Sequence, residues 1–196
     1  MNPIVLGVDL AGVPKRPTGI CMLRGMQART CLVYTDEEII RLAKSENPAV
    51  IAIDAPLTLP PGRKTIEDRS GEHLRVCDRE LLRRKIKFFP ITLGPMRVLT
   101  TRGMGLKDEL ESLGFKAIEV YPGGAQDILG IPRKQKGLDI MTVGHKRLGI
   151  NGLTDGLSDH ELDAVTAAYV GKLFIQGEAE VYGNFEEGAI VMPPDK

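Results

Sequence analysis

The chain has 196 residues, 42% of them hydrophobic and 27% charged, and its 26 basic residues balance its 26 acidic ones. This composition is typical of a soluble globular protein; it argues against wholesale disorder and, more mildly, against a general nucleic-acid binder with a basic surface. Because signal-peptide features and an apolar stretch of about 20 residues are both missing, we expect a cytoplasmic protein without membrane contact, with one domain over residues 1–196.

The first third of the chain predicts four strands and a helix. Two of the strands are continuously apolar runs, and the other two are β-rich runs joined as a hairpin. The four runs lie at residues 3–10, 18–23, 28–34 and 49–53. Thr35 resembles the N-cap of a helix between the third and fourth runs. Each of the two apolar runs is closed by an aspartate, Asp9 in one and Asp54 in the other.

The middle of the chain predicts a loop, two helices and a further buried strand. Prolines exclude regular structure from residues 55–62. Helical patterns follow at residues 77–87 and 106–113. Residues 115–120 predict the strand, with Glu119 near its end, and a turn is expected at residues 121–124.

The last part of the chain predicts a long helix and a hairpin. Ser158 and Glu161 form a capping box, which opens a helix that reaches about Gln176. A final hairpin is expected around Asn184. Strands that alternate with helices in this order predict an α/β fold with a mostly parallel sheet.

Acidic side chains are placed where such a sheet has its functional crevice. The strand-end residues are Asp9, Asp54 and Glu119. The carboxyl ends of parallel strands meet at one edge of a sheet, so these side chains are expected to lie close together. In the last helix, Asp163 lies on the apolar stripe, and Asp159 or His160, one turn earlier, can point the same way.

Such a cluster of carboxylates needs a compensating cation. At about 4 Å and an effective dielectric constant near 20, each pair of carboxylates costs roughly 4 kcal/mol. Hard divalent ions prefer oxygen ligands, so the sequence predicts Mg²⁺ or Mn²⁺ bound by Asp9, Asp54, Glu119, Asp159 and Asp163. Two ions about 3.5–4 Å apart would support phosphodiester hydrolysis. His160 would favour manganese or position the attacking water. Taken singly, each residue also fits a turn, a helix cap or a surface position, and this alternative stays open.

Five motifs carry a resemblance to a known family: GVDLAG, IAIDAP, RVCDRELLRR, EVYP and DHELDA. They resemble the RNase H-like superfamily and, within it, a family of predicted nucleases known as domain of unknown function 429. The resemblance implies a mixed sheet of antiparallel hairpin strands followed by parallel strands, flanked by helices, with a helical insertion at about residues 55–115.

The closing HELDA is similar to the His-x-x-Asp-Ala helix of RuvC-type Holliday-junction resolvases. By this resemblance Asp9, Glu119 and Asp163 would be catalytic metal ligands, with Asp54 and His160 as their partners. RuvC-type enzymes place a glutamate on the fourth strand, whereas this chain has Asp54 there and its glutamate on the following strand.

The predicted insertion contains a concentration of positive charge. Residues 63–102 hold eleven basic and five acidic side chains. Among them Arg75, Arg79 and Arg83 recur every four residues, so their guanidinium groups would share a face that can bind phosphate oxygens. The competing interpretation is a solvated helix face with local ion pairs. Because the chain has no Trp, four Tyr and five Phe, base stacking is not expected to dominate, which favours a duplex or structured nucleic acid.

We therefore expect a metal-dependent nuclease, with two alternatives. An ATPase or phosphotransferase of the actin and sugar-kinase type has a similar glycine-flanked aspartate in its first strand, but it normally needs two related domains. A non-catalytic nucleic-acid-binding module could retain the fold, but it would gain nothing from a strained acidic cluster. Symmetric cutting of a junction would require a homodimer, which the sequence leaves open.

Overall fold

A computed structural model describes residues 2–195 of the chain. The strands are β1 (Ile4–Asp9), β2 (Thr18–Arg24), β3 (Gln27–Val33), β4 (Val50–Asp54), β5 (Ala117–Glu119), β6 (Glu180–Asn184) and β7 (Gly188–Met192). The helices are α1 (Asp36–Glu46), α2 (Val76–Arg83), α3 (Gly94–Ser112), α4 (Pro122–Leu129), α5 (Leu138–Arg147) and α6 (Asp159–Gln176), with a 3-10 turn at Lys134–Lys136. Within residues 2–195, no helix is both long enough and apolar enough to cross a membrane.

The first five strands form one mixed sheet in the order β3-β2-β1-β4-β5. The pairs β1–β2 and β2–β3 are antiparallel, whereas β1–β4 and β4–β5 are parallel. In this register Asp9 pairs with Asp54, and Glu119 pairs with Ile53. The predicted mixed sheet flanked by helices is therefore confirmed, and the three strand-end acids lie on neighbouring parallel strands.

Capping chemistry defines the starts of two helices, as the sequence predicted. At α1, the Thr35 hydroxyl accepts a hydrogen bond from the Glu38 backbone N–H, and the Glu38 carboxylate accepts one from the Thr35 N–H. At α6, Ser158 and Glu161 make the same reciprocal pair. The Glu161 carboxylate also accepts a hydrogen bond from Thr30 in β3, which ties the start of α6 to the sheet.

Helices cover both faces of the sheet. On one face, α1 and α3 bury a cluster that includes Leu6, Ile51 and Leu110. On the other face, α6 packs across the sheet, and α2, α4, α5 and the β6–β7 hairpin contribute to the same core. The long central helix α6 thus lies directly over the two strands that end in aspartate.

Two glycines allow this close approach of α6. A Cβ atom at Gly7 would lie 2.1 Å from the Ala164 carbonyl oxygen, and one at Gly19 would lie 2.0 Å from the His160 carbonyl oxygen. Real Cβ atoms essentially never come this close to backbone atoms. The small residues on β1 and β2 therefore bring the first turns of α6 to the edge of the sheet where Asp9 ends β1.

Several elements differ from the prediction. The helix expected at residues 77–87 ends at Arg83, because Lys85 adopts a left-handed conformation with φ of 60°. The helix expected at residues 106–113 begins as early as Gly94. The turn expected at residues 121–124 opens helix α4, with Pro122 in its first turn. Helix α5 was not predicted.

Candidate active site

The carboxyl ends of β1, β4 and β5 form an acidic edge next to the first turns of α6. A cavity of about 210 Å³ opens at this edge, and Asp9, Asp54 and Glu119 contribute to its lining. The rest of its wall is largely apolar and includes Leu99 and Phe88. The structure therefore brings together the three strand-end acids that the sequence singled out.

Asp54 is the most strongly perturbed carboxyl of the site. Burial raises its pKa well above the ordinary value, and the negative charges of Asp9, Asp163 and Glu119 raise it further. Asp54 also lies directly opposite Asp9 in the register of β4 and β1. Two ionised carboxylates on paired residues repel one another, so a proton or a cation between them would stabilise this pair.

His160 contacts Asp9 from the first turn of α6. Its Nδ1 lies 2.6 Å from Asp9 Oδ2, and this hydrogen bond raises the pKa of His160. A histidine with a raised pKa keeps its proton to a higher pH than a free histidine, so this contact favours the positively charged form of His160 beside Asp9. Its side chain is 35% exposed, which leaves it open to proton exchange with solvent.

Asp163 is oriented by a chain of buried polar groups. The Gln126 amide donates to Asp163 Oδ1 over 2.6 Å and to Thr166 Oγ1 over 3.1 Å. His145 Nε2 lies 2.8 Å from Thr166 Oγ1, and His145 Nδ1 donates to the Met141 carbonyl oxygen. Because both amide hydrogens of Gln126 are engaged, its orientation toward Asp163 is fixed.

None of these polar groups was among the predicted site residues. Gln126 lies on the unpredicted helix α4, and His145 lies on the unpredicted helix α5. A polar residue at helical spacing among apolar ones was the available signal at Thr166, three residues after Asp163. Burial raises the pKa of Asp163, and so does the charge of Asp9, whereas the Gln126 hydrogen bond opposes the rise.

Lys134 brings a positive charge to the outer side of the site. Its Nζ lies 2.8 Å from Asp159 Oδ2 and 3.7 Å from Asp163 Oδ2. The hydrogen bond from Lys134 lowers the pKa of Asp159. Asp159 is thus paired with lysine at the rim, whereas Asp163, one turn later, lies deeper and beside Asp9.

Glu119 is bound by Arg75. The Arg75 guanidinium donates to both Glu119 oxygens, over 2.6 and 2.8 Å, and the Leu57 backbone N–H donates to the same carboxylate over 2.8 Å. Burial raises the pKa of Glu119, while Arg75 and the hydrogen bond from Leu57 oppose that rise. Glu119 therefore already has a cationic partner, unlike Asp54.

The predicted arginine face is not what the structure shows. Arg75 is only 2% exposed and pairs with Asp78 as well as Glu119. Arg79 and Arg83 are 56% and 74% exposed, and they pair with Glu72 and Glu80 respectively. Arg75 lies inside because it precedes α2 and the β6–β7 hairpin covers it, with Gly188 lying against its side chain. Phosphate binding by these arginines stays a prediction.

The donors fit a divalent cation in part. Across residues 2–195, no three His, Cys, Asp or Glu side chains form a preformed metal cage. His160, Gln126 and Arg75 each hold one of the carboxylates by a short hydrogen bond. Asp9, Asp54 and Asp163 nevertheless place carboxyl oxygens at the same edge of the sheet, and ionised carboxylate oxygens are the hard donors that Mg²⁺ and Mn²⁺ prefer.

Two solved structures share this fold. The chain is similar to Thermus thermophilus RuvC in complex with a Holliday junction substrate, with a TM-score of 0.51 and 14% identity over 90% of this chain and 97% of that one. A second Thermus thermophilus RuvC structure gives a TM-score of 0.50 and 12% identity over 89% and 96%. A comparison with curated proteins finds no match.

The five-stranded mixed sheet and its flanking helices give the chain a RuvC-like fold. Within this class, the chain belongs to the DUF429 family, described as a protein of unknown function, whose sequence pattern matches residues 7–187. The resemblance drawn from the motifs is thereby confirmed.

Proposed function

We propose that this protein is a divalent-metal-dependent nuclease that hydrolyses phosphodiester bonds of structured or duplex nucleic acid. The observation that carries this proposal is the pairing of Asp9 with Asp54 in register at the carboxyl ends of two parallel strands, close enough to Asp163 for its charge to raise the pKa of Asp54. A half-buried site that holds three carboxyls close together is costly unless it serves a cation. The fold shared with RuvC, one structure of which contains a Holliday junction substrate, supports nucleic acid as the substrate class.

In this proposal, Asp9, Asp54 and Asp163 hold Mg²⁺ or Mn²⁺, which would supply Lewis acidity toward a phosphoryl oxygen. Gln126 fixes the orientation of Asp163 through its amide hydrogen bond. His160 holds a proton at Nδ1 against Asp9 and is exposed enough to exchange it with water. Lys134, at the rim, offers a positive charge to a substrate phosphate.

Cleavage assays with matched variants test this function. The protein is incubated with millimolar Mn²⁺ and a four-way DNA junction, duplex DNA or an RNA–DNA hybrid. We expect cleavage by the wild type and a loss of about 1,000-fold or more in Asp9→Asn and Asp163→Asn, since each removes a ligand charge. Asp108→Asn, which alters an exposed carboxylate on α3, should cleave like the wild type.

Two results would contradict the proposal. Cleavage that survives Asp9→Asn would come from another site or from a contaminant. A rise in melting temperature that requires ATP, with no effect of Mn²⁺ alone, would favour the phosphotransferase alternative, because only a ligand that binds the folded state stabilises it.

A further inference from the structure

Arg75 is a fully engaged cation at one end of the acidic edge. Its Nε donates to Asp78 over 3.1 Å, and its Nη2 donates to Asp78 over 2.9 Å and to Glu119 over 2.8 Å. Its Nη1 donates to Glu119 over 2.6 Å and to the Thr58 hydroxyl over 3.3 Å. All five N–H groups of the guanidinium therefore have an acceptor, in a position that is only 2% exposed.

This arrangement divides the carboxylates of the edge into two groups. Glu119 and Asp78 share the charge of Arg75, and Asp159 pairs with Lys134. Asp54, by contrast, is half-buried opposite Asp9, and the negative charges of three other carboxylates raise its pKa. A metal ion that drew Glu119 away would leave Arg75 buried with Asp78 as its remaining charged partner, which is unfavourable for a desolvated guanidinium.

We propose that the Arg75 guanidinium takes the place of a second metal ion at Glu119, so that the site takes a single divalent ion on Asp9, Asp54 and Asp163. This inference rests on the proposed function and narrows it. The sequence predicted two metal ions at this site. In the present proposal one metal ion and the Arg75 guanidinium supply the two positive charges. Glu119 then acts as the anchor of Arg75, and Arg75 closes the cavity wall next to the ion.

Manganese binding to the full-length chain tests this inference without any need for activity. Titration calorimetry with Mn²⁺ should give a stoichiometry of one ion per chain, and the electron paramagnetic resonance spectrum should be that of an isolated ion. Asp54→Asn should weaken binding by about 100-fold or more, since it removes a ligand. Glu119→Gln should retain one ion, with affinity within about tenfold of the wild type.

The outcomes separate this inference from the proposed function. Two ions per wild-type chain, or a spin-coupled pair, would overturn the role of Arg75 and leave the nuclease proposal standing. Loss of binding in a folded Glu119→Gln protein would do the same, because Glu119 would then be a ligand. If Glu119→Gln does not fold, the number of Mn²⁺ ions bound per wild-type chain still tests whether Arg75 takes the place of a second ion. Absence of Mn²⁺ binding in the wild type would overturn the proposed function and this inference together.

Discussion

The ionised form of Asp54 is unfavourable in the folded chain. Its pKa in the folded chain is raised by burial and by neighbouring carboxylates, above the ordinary value of 3.8. A carboxyl with a raised pKa favours folding most below its unfolded pKa, and this contribution is lost as the pH rises through the folded pKa. At neutral pH without metal, Asp54 therefore destabilises the fold.

Replacement of this carboxyl should stabilise the metal-free protein. Asp54→Asn removes the repulsion and keeps a group able to bond with Asp9, so we expect the free energy of unfolding at pH 7.5 to rise by about 1–3 kcal/mol. Urea denaturation with a chelator present measures this change. Asp108→Asn should show no comparable gain, and a loss of stability in Asp54→Asn would mean that Asp54 is already compensated without metal.

His145 makes the stability of the fold depend on pH in the opposite direction to Asp54. Burial lowers its pKa from 6.5 to about 4. As the pH falls below 6.5, the imidazole becomes protonated in the unfolded chain but stays neutral in the folded chain. The contribution of His145 to the free energy of unfolding is therefore fully present above pH 6.5 and is lost as the pH falls toward 4.

A histidine variant isolates this contribution. Between pH 7.5 and 4.5, His145 should account for a loss of about 2–3 kcal/mol in wild-type stability. Over the same pH range, the free energy of unfolding of His145→Gln should fall by about 2–3 kcal/mol less than that of the wild type, although this variant starts from a lower stability at pH 7.5. His73→Gln, at an exposed histidine, provides the control and should follow the wild type. Identical pH profiles for all three proteins would show that His145 ionises freely in the fold.

At the scale of elements, the packing of α6 on the sheet positions half of the site. His160 and Asp163 reach the strand ends because Gly7 and Gly19 leave no side chain between the strands and the helix. The same contact places Ala164 and Ala168 against β1. The packing of α6 against β1 and β2 therefore both builds the core and positions His160 and Asp163 in the site.

Alanine at Gly7 should disrupt this contact. The new methyl group would overlap the Ala164 carbonyl oxygen, so we expect Gly7→Ala to lose about 2–4 kcal/mol of unfolding free energy. Gly105→Ala is the matched control, because Gly105 lies in α3 with open space around it. Alanine there should be neutral or stabilising by up to about 1 kcal/mol, since it has the higher helix propensity. Equal stabilities of the two variants in urea would contradict the close approach.

The sequence predicts those elements whose signals are local. The continuously apolar strand runs, the Ser158 capping box and the aspartates at strand ends are encoded within a few residues, and all are confirmed as structural features. Helix α4 begins with Pro-Gly-Gly, which locally indicates a turn, but a Cβ at Gly124 would lie 2.8 Å from the Met192 side chain. Packing against Met192 therefore holds this glycine-rich segment in a helix despite its low helix propensity.

The pairing of Arg75 with Glu119 also lay beyond sequence analysis. The two residues are 44 positions apart, and the spacing of Arg75, Arg79 and Arg83 indicated a common exposed face instead. Arg75 lies inside because long-range partners surround it, among them Glu119 and Gly188 of the β6–β7 hairpin. Long-range burial therefore decides which member of a charged series is internal, and periodicity alone does not.

For the whole molecule, the fold combines a neutral net charge with a locally acidic edge. Three exposed arginines of the positive segment at residues 63–102 pair with acids of the same segment: Arg79 with Glu72, Arg83 with Glu80, and Arg97 with Glu67. The acidic edge, with Lys134 at its rim, is the feature that sets this protein apart from a plain α/β scaffold.

A crystal of the full-length protein soaked in MnCl₂ tests the central claim most directly. An anomalous difference map should show one manganese peak, in contact with carboxylate oxygens of Asp9, Asp54 and Asp163, while Glu119 stays paired with Arg75. A fully soaked crystal with no peak at these three residues, or with a peak bound elsewhere, would contradict the account.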